Sequence, residues 1–423
     1  MIKAITGTKD ILPSDIAKWH YLEKLLRETF HLYNYKEIRT PIFEETALFA
    51  RGIGEETDIV GKEMYTFKDR SETSLTLKPE MTAPVVRSYI EHSLGAQQPL
   101  TKLYYISSMF RQERPQAGRL RQFNQFGAEA IGSKSPLLDA EMIQLAYGIL
   151  KSLGLKNLTV KINSLGTPET RETYKKLLKK FLEDKKNKLS EDSRRRFDTN
   201  ILRIFDSKIE SDQNIIKDAP KLIEHLDEES KSDFEIVKNQ LSKTGIPFQV
   251  DPTLVRGLDY YTKLTFEIDS GSVGAQTALC GGGRYDLLIE TLGGKPTPAT
   301  GFAAGVERIL LACENEKSFI IPEQSIDVYL IRVDSALETV VADFSSDLRS
   351  QNISCDYDYL NRSVKAQMRE ANKMNAKYVL FIGGDEYKNG MMNLKNMSNG
   401  SEEKIPYSNI NQLIERIKTN PIS

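Results

Sequence analysis

Five short stretches of this 423-residue sequence carry, at close spacing, residue types that can do chemistry. Phe110-Arg111-Gln112-Glu113-Arg114-Pro115-Gln116-Ala117-Gly118-Arg119-Leu120-Arg121 packs four arginines into a segment broken by Pro and Gly, which reads as a strand running into a loop. A planar guanidinium at the rigid end of a strand clamps a phosphate with two parallel hydrogen bonds, and arginines on the loop reach a larger anion. A solvated surface loop is the plainer reading. Leu77-Lys78-Pro79-Glu80-Met81-Thr82 ends a strand, and Pro79 bars its regular continuation, so Glu80 and Thr82 fall on a turn. There a carboxylate beside a hydroxyl holds an ammonium group, or Glu80 caps the following helix. In Leu254-Val255-Arg256-Gly257-Leu258-Asp259-Tyr260-Tyr261 an arginine stands between aliphatic residues, and a buried arginine needs an anion. That anion is Asp259 in a structural pair, or a phosphate or carboxylate of a substrate; the two tyrosines suit a pocket wall as well as a core. Cys280-Gly281-Gly282-Gly283-Arg284-Tyr285-Asp286 fits neither the P-loop nor the dinucleotide fingerprint. It is a turn, or bare backbone against which a flat ligand lies. Gly301-Phe302-Ala303-Ala304-Gly305-Val306-Glu307-Arg308 reads as a helix with small residues at 301, 304 and 305 on one face and Arg308 either turned toward a sheet or, as is commoner for a helical arginine, facing solvent.

These stretches need a scaffold, and the pattern around them supplies one. Trp19, Leu22, Leu25 and Leu26 recur at helical spacing after Ser14, a candidate N-cap. Glu63 to Lys68, Ser74 to Leu77 and Leu103 to Ser107 are extended runs without the regular helix between strands that a parallel sheet requires, which favours an antiparallel sheet. Arg171 to Arg196 holds 11 Lys or Arg against 5 Asp or Glu, and the chain then turns acidic through Glu235. This marks a helical insertion at about 171–245, whose basic face is either simply solvated or touches an RNA backbone. Extended character returns at Leu264 to Ile268. Past residue 325 the pattern alternates: a strand at Ile326 to Ile331, an amphipathic helix, a strand near Cys355, a helix from Ser363 and a strand Tyr378 to Ile382. That alternation predicts a small α/β domain with a mostly parallel sheet over 326–423, behind a core spanning 1–325.

Composition narrows the class. Lys and Arg number 58 against 59 Asp and Glu, a formal net charge of -1, so any surface for nucleic acid must be local. Cys280, Cys313 and Cys355 are scattered and odd in number, which suggests neither a disulfide framework nor a zinc site and fits a reducing cytoplasm. No stretch reaches the roughly 18 apolar residues of a membrane span.

In their joint order the segments resemble the class II aminoacyl-tRNA synthetases. RGLDYY (256–261), GGGRYD (281–286) and LKPEMT (77–82) resemble histidyl-tRNA synthetases in particular. Arg39-Thr40-Pro41-Ile42-Phe43-Glu44 resembles the family's dimer-forming first motif, FRQERPQ with its loop the second, and GFAAGVER the third. The resemblance implies an α+β fold: a core of antiparallel sheet flanked by helices, a helical insertion and a C-terminal α/β anticodon-binding domain. It implies a homodimer that activates L-histidine with ATP, accompanied by Mg²⁺ held mainly by the nucleotide rather than by a protein cage, and charges the cognate tRNA in the cytoplasm. By the same resemblance Arg111 holds the ATP α-phosphate, Arg308 the γ-phosphate, and Arg256 stabilises charge as the histidine carboxylate attacks. Glu80 and Thr82, with Met81 between them, receive the α-ammonium, and Gln125 lies near the carboxyl end. Glu129 and Tyr261 take the two imidazole nitrogens, while Tyr260 and Tyr285 line the pocket. Arg114, Gln116 and Arg121 face the acceptor end of the RNA, and Arg362 belongs to a basic turn of the anticodon domain. Lys78, Gln112 and Asn124 depart from the commonest family spelling. Regulatory subunits of ATP phosphoribosyltransferase share such a core; the retained Arg111, Arg256 and Arg308, and the segment after 325, argue against that reading.

Overall fold

A computed structural model describes residues 1–54, 57, 59–116, 118–255, 258–274, 277–318 and 324–419. Arg256 and Gly257, central to one of the motifs, lie outside the described residues, as does Ala117. The chain divides into two compact units, Met1–Ile320 and Ile321–Ser423, each treated by itself below.

The strands of the first unit, in chain order, are β1 (Lys36–Glu37), β2 (Phe43–Glu45), β3 (Tyr65–Lys68), β4 (Ser74–Leu77), β5 (Thr101–Phe110), β6 (Gln122–Ile131), β7 (Leu158–Ser164), β8 (Phe248–Val250), β9 (Thr262–Ser270), β10 (Ala278–Arg284) and β11 (Ala299–Gly305). Eight form one sheet in the order β1-β5-β6-β11-β10-β9-β7-β8, antiparallel except at its two outermost pairings, and β2-β4-β3 make a small second sheet. Alternation along β6 explains why this sheet has one dry face and one chemical face. Phe126, Ala128 and Ala130 are buried in the main apolar core with Leu138, Met142 and Ile149 of the helix Pro136–Ser152. Phe123, Gln125, Gly127 and Glu129, the intervening positions, share the opposite face. The core side is anchored by Arg284, 1% exposed, whose Nε donates to Asp139 Oδ2 at 2.9 Å and whose Nη1 and Nη2 donate to the carbonyls of Ser133 and Ser135. A buried guanidinium saturated in this way ties the end of β10 to the start of that helix, and with it the position of Tyr285.

Several local expectations give way to tertiary context. The glycine run 281–283 is neither a turn nor a loop but lies within β10, between β9 and β11. Residues 301–305 are strand, and the helix starts only at Val306, so the small residues serve close strand packing instead of a helix face. Composition cannot separate these cases: with no Cβ, a glycine is as compatible with a crowded central strand as with a turn. Ser14 lies inside the helix Pro13–Leu32, whose N-cap is Leu12 with Pro13 at its first position. Between β7 and β8 the chain is helical, including Pro168–Glu183, Glu191–Thr199, Glu210–Ile216 and Glu228–Lys243.

The second unit contains β12 (Val328–Arg332), β13 (Cys355–Tyr357), β14 (Tyr378–Ile382), β15 (Met391–Asn396) and β16 (Glu402–Pro406), ordered β13-β12-β14-β15-β16. Its first two pairings are parallel, but β14-β15 and β15-β16 are antiparallel, so the sheet is mixed and not mostly parallel. The hairpin β15-β16 was hidden by a polar run of Met, Asn and Lys with little apolar contrast.

Candidate active site

On the chemical face of the large sheet lies a cavity of about 310 Å³. Its floor is nearly bare backbone, with Gly281, Gly301, Ala303 and Gly305 on the lining. A Cβ at Gly301 would collide with the Glu129 carboxylate, and one at Gly127 with the Tyr105 hydroxyl and the Phe302 carbonyl. Gly301 on the floor and Gly127 behind it are therefore geometric requirements, whereas a Cβ at Gly305 would meet only ordinary contacts.

At one end the polar groups satisfy each other in a chain. Both Glu80 oxygens accept backbone N–H groups, from Thr82 at 2.7 Å and Ala83 at 2.9 Å, so Glu80 caps the helix Thr82–Glu91 as well as lining the cavity. Thr82 Oγ1 donates to Glu129 Oε1 at 2.8 Å, and the Tyr285 hydroxyl donates to Glu129 Oε2. Glu129 is 1% exposed; burial, only partly offset by these two donors, pushes its carboxyl up to about 8. Burial likewise raises Glu80. Tyr260 stands 4.7 Å from Tyr261 and 5.6 Å from Tyr285, ring centre to ring centre. Gln125 Oε1 is buried without a hydrogen-bond partner among the described residues.

The other end is cationic. Arg111 follows directly on β5; its Nε donates to the Pro79 carbonyl at 2.9 Å, and its guanidinium stands 5.3 Å from the centre of the Phe123 ring. Arg308, one turn into the helix Val306–Glu316, donates to the carbonyls of Gly118 at 2.9 Å and Ala278 at 3.0 Å. Burial lowers its pKa, and the nearby Arg119 and Arg111 push the same way. Arg119 Nε lies 2.9 Å from Glu113 Oε2, a charge contact off the hydrogen-bonding direction. Arg111 Nη1 also lies 3.7 Å from Glu113 Oε1, so one carboxylate is shared by two arginines while carbonyl dipoles orient Arg111 and Arg308, and the cluster keeps net positive charge for an anion.

Of the residues expected from sequence to surround one ligand, Glu80, Met81, Thr82, Gln125, Tyr260, Tyr261, Tyr285, Arg111 and Arg308 line the cavity together, and Glu129 sits immediately behind the lining. Arg114 and Gln116 are exposed and away from the lining. Arg121 is braced inside its loop: its Nε is 3.4 Å from the Glu113 carbonyl and its stem covers Gly7. Arg362, in the second unit, is paired with Asp358 and, at 3.1 Å, with Glu370. The departures are also placed. Asn124 donates from its backbone N and its Nδ2 to Glu307 at 2.9 Å, joining β6 to the helix that carries Arg308. Lys78 is fully buried with, among the described residues, Thr40 oxygens at 3.4 Å as its hydrogen-bond partners, and burial brings it down to about 8. Gln112 is exposed. Sequence reading missed Tyr105, Glu113 and Arg119. Tyr105 faces Gly127 across β5-β6 with its hydroxyl buried and unpartnered among the described residues, a position the alternation along β5 would have indicated.

The histidyl-tRNA synthetase family profile matches residues 7–309, and that of the anticodon-binding domain residues 327–418. The chain belongs to the histidyl-tRNA synthetase family. It is 47% identical over 416 residues to the histidine–tRNA ligase of Halothermothrix orenii, covering 98% of this chain and 99% of that one. To the corresponding ligase of a Thermoanaerobacter species it is 48% identical over 417 residues, covering 99% and 100%. The crystal structure of apo Staphylococcus aureus histidyl-tRNA synthetase superposes with a TM-score of 0.83 at 42% identity, covering 99% of this chain and 100% of that one. The synthetase fold expected from the motifs, an α+β core followed by an anticodon-binding domain, is thus the fold of this chain.

Proposed function

We infer that this chain is a histidine–tRNA ligase. With ATP it converts L-histidine to histidyl-adenylate and pyrophosphate, and then passes histidine to the 3′-terminal adenosine of its tRNA. The observation that carries the reading is one cavity joining a buried carboxylate network to a pair of arginines held on carbonyls.

In the first step a histidine carboxylate oxygen bonds to the α-phosphorus as the bond to the bridging oxygen breaks, and pyrophosphate leaves with the electron pair. No protein nucleophile is required, so fixed cations do the catalytic work. We assign Arg111 to the α-phosphate, Arg308 to the γ-phosphate and Arg256 to the charge developing between them. Glu80 and Thr82 hold the α-ammonium, with Met81 beside them and Gln125 toward the carboxylate. Both Glu80 oxygens keep a lone pair free after accepting one N–H each. Glu129 and Tyr261 take the imidazole nitrogens: Thr82 and Tyr285 occupy only part of the carboxylate's acceptor capacity. An apolar side chain in this position leaves buried polar groups unpaired, which costs up to about 10⁴-fold in discrimination.

Glu113 and Glu307, the carboxylates at the cationic end, are engaged by Arg119 and Asn124. That donor set fits Mg²⁺ brought in on the oxygens of ATP. We assign residues 1–325 to catalysis, with 171–245 as the insertion, and 326–423 to the anticodon. Arg114 and Gln116 are the loop groups open to the acceptor end, with Arg121 bracing them; Arg362, already doubly paired, contributes more to shape than to free charge. Ile42, Phe43 and Phe67 are about half exposed around the first motif, which supports a second copy of the chain packed there. No helix among the described residues is long and apolar enough to cross a membrane, and we place the enzyme in the cytoplasm, where tRNA is charged.

The test is exchange of labelled pyrophosphate into ATP with each of the twenty amino acids. Exchange with histidine alone is expected; exchange with none would overturn the reading in favour of a regulatory paralogue.

A further inference from the structure

The amino-acid end of the cavity is gripped from behind by the helical insertion. Arg171, in the first turn of Pro168–Glu183, donates from Nη2 to the carbonyl oxygen of Tyr261 at 2.6 Å. Its Nε is buried without a hydrogen-bond partner among the described residues, and burial pulls the guanidinium below its ordinary pKa against the opposing charge of Asp259. Asn200, the C-cap of Glu191–Thr199, donates from Nδ2 to Asp259 Oδ1 at 2.9 Å. On its other side Asp259 donates its backbone N–H to the Ile53 carbonyl at 3.2 Å, and a Cβ on Gly54 would reach its carboxylate at 2.7 Å. The turn that delivers Tyr260 and Tyr261 to the pocket is therefore clasped between the Ile53-Gly54 corner and two insertion side chains.

Stability does not account for this arrangement. A carbonyl at the head of β9 can be satisfied without an arginine, and desolvating a guanidinium for one neutral acceptor beside the charge of Asp259, with Nε unpartnered among the described residues, returns little. An exposed Asn–Asp hydrogen bond is worth little to folding as well. What the two contacts do fix is geometry. They set where the backbone of 259–261 lies, and so how the Tyr260 ring stands against Tyr261 and Tyr285, with Tyr285 in turn holding Glu129. The insertion itself is anchored where it leaves and rejoins the core. Asp227 Oδ2 accepts from Thr170 Oγ1 at 2.8 Å, and Lys263, two residues past Tyr261, reaches Glu229 at 2.6 Å and Asp233 at 2.7 Å. A shift of these helices is thus passed to the tyrosines through short, stiff links.

We propose that Arg171 and Asn200 are positioning residues that couple the placement of the insertion to the histidine pocket through the 258–261 turn. The inference rests on the reading of Tyr260, Tyr261 and Glu129 as the amino-acid end of the site. The coupling acts on histidine rather than on ATP, because among the described residues neither side chain bonds to Arg111 or Arg308.

The test uses the full-length protein, measuring KM for histidine and for ATP separately in pyrophosphate exchange, with thermal unfolding alongside. Arg171→Met is expected to raise the histidine KM about five- to tenfold and Asn200→Ala about threefold, the range of one lost hydrogen bond, with the ATP KM unmoved. Arg171→Lys, whose ammonium can still donate to the Tyr261 carbonyl, is expected to recover most of the loss at an unchanged Tm. Histidine KM at the parent value in both truncations overturns the proposal. So does a parallel rise in both KM values with a lowered Tm and no recovery by lysine, since that is the signature of a merely structural role. Absence of histidine-dependent exchange in the parent protein would instead strike at the underlying assignment of the pocket.

Discussion

The two ends of the cavity solve the problem of binding charge in opposite ways. At the amino-acid end Glu80, Thr82, Glu129 and Tyr285 are bonded to one another and to backbone, which fixes them in place while the two carboxyl groups keep acceptor capacity for a ligand. At the nucleotide end Arg111 and Arg308 are oriented by carbonyls, and the one carboxylate near Arg111, Glu113 at 3.7 Å, is shared with Arg119, so the cations outnumber the anion paired with them. The first arrangement selects, because an apolar intruder leaves that buried acceptor capacity unpaired. The second attracts, because an anion replaces nothing of value.

The contrast is broken most forcefully at the arginines. Arg308→Ala or Arg111→Ala is expected to slow histidine-dependent pyrophosphate exchange by about 10²- to 10³-fold, as when one group aimed at developing negative charge is removed. Calorimetric histidine affinity should stay close to the parent value; a matching loss there would show that the two ends are not separable.

Glu129→Gln comes next, with a loss of about 2 kcal/mol in histidine affinity and none in ATP affinity; equal weakening of both would refute the assignment. The same residue carries a pH signature. Its folded carboxyl titrates at about 8 against an ordinary 4.5, so the folded state keeps a proton that the unfolded chain gives up. The stability tied to this group is present in full below about 4.5 and is lost as pH rises through about 8. The parent Tm should therefore fall more steeply than that of Glu129→Gln over this window, and superimposable profiles would place the carboxyl back in the ordinary range.

Tyr285→Phe removes one donor from that carboxylate and is expected to cost about 1 to 1.5 kcal/mol in histidine affinity, read as a five- to tenfold rise in Kd. The smallest effect is expected at Tyr105. Its hydroxyl is buried without a partner among the described residues, so Tyr105→Phe should leave Tm unchanged or raise it by the equivalent of about 1 kcal/mol. A clear fall would reveal a bond that this hydroxyl makes.

Part of the cavity was legible in local motifs: LKPEMT and the arginine run each bring their own turn or strand end, whereas GFAAGVER, read as helix, is strand as far as Gly305, and Gln125 and Glu129 were indicated only by the family resemblance. What escaped was set by tertiary contact. Glycines 281–283 are strand because β9 and β11 press from both sides, and nothing local distinguishes that from a turn. The raised pKa of Glu129 depends on depth, which β6 alternation orients but does not measure. Arg171 could be counted among the basic residues of the insertion, yet its bond to the Tyr261 carbonyl links positions 90 apart in the chain.

The hydrogen-bonded ladder between β7 and β9 has a consequence for how the molecule comes into being. Ser164 pairs with Leu264, and nearly the whole insertion is strung between them. Closing a loop of about a hundred residues adds only modestly to the entropic cost, about 0.6 kcal/mol per doubling, but such non-local pairing is slow to find. The insertion is expected to shorten the search. Once its helices form, the clasp of Thr167 and Thr170 on Asp227 brings the departing and returning chain together before β9 has a partner. A chain growing from its N-terminus can complete this clasp while β9 is still unmade. Refolding should then run helices first and sheet last, with weakening at Asp227 felt as late closure of the catalytic sheet.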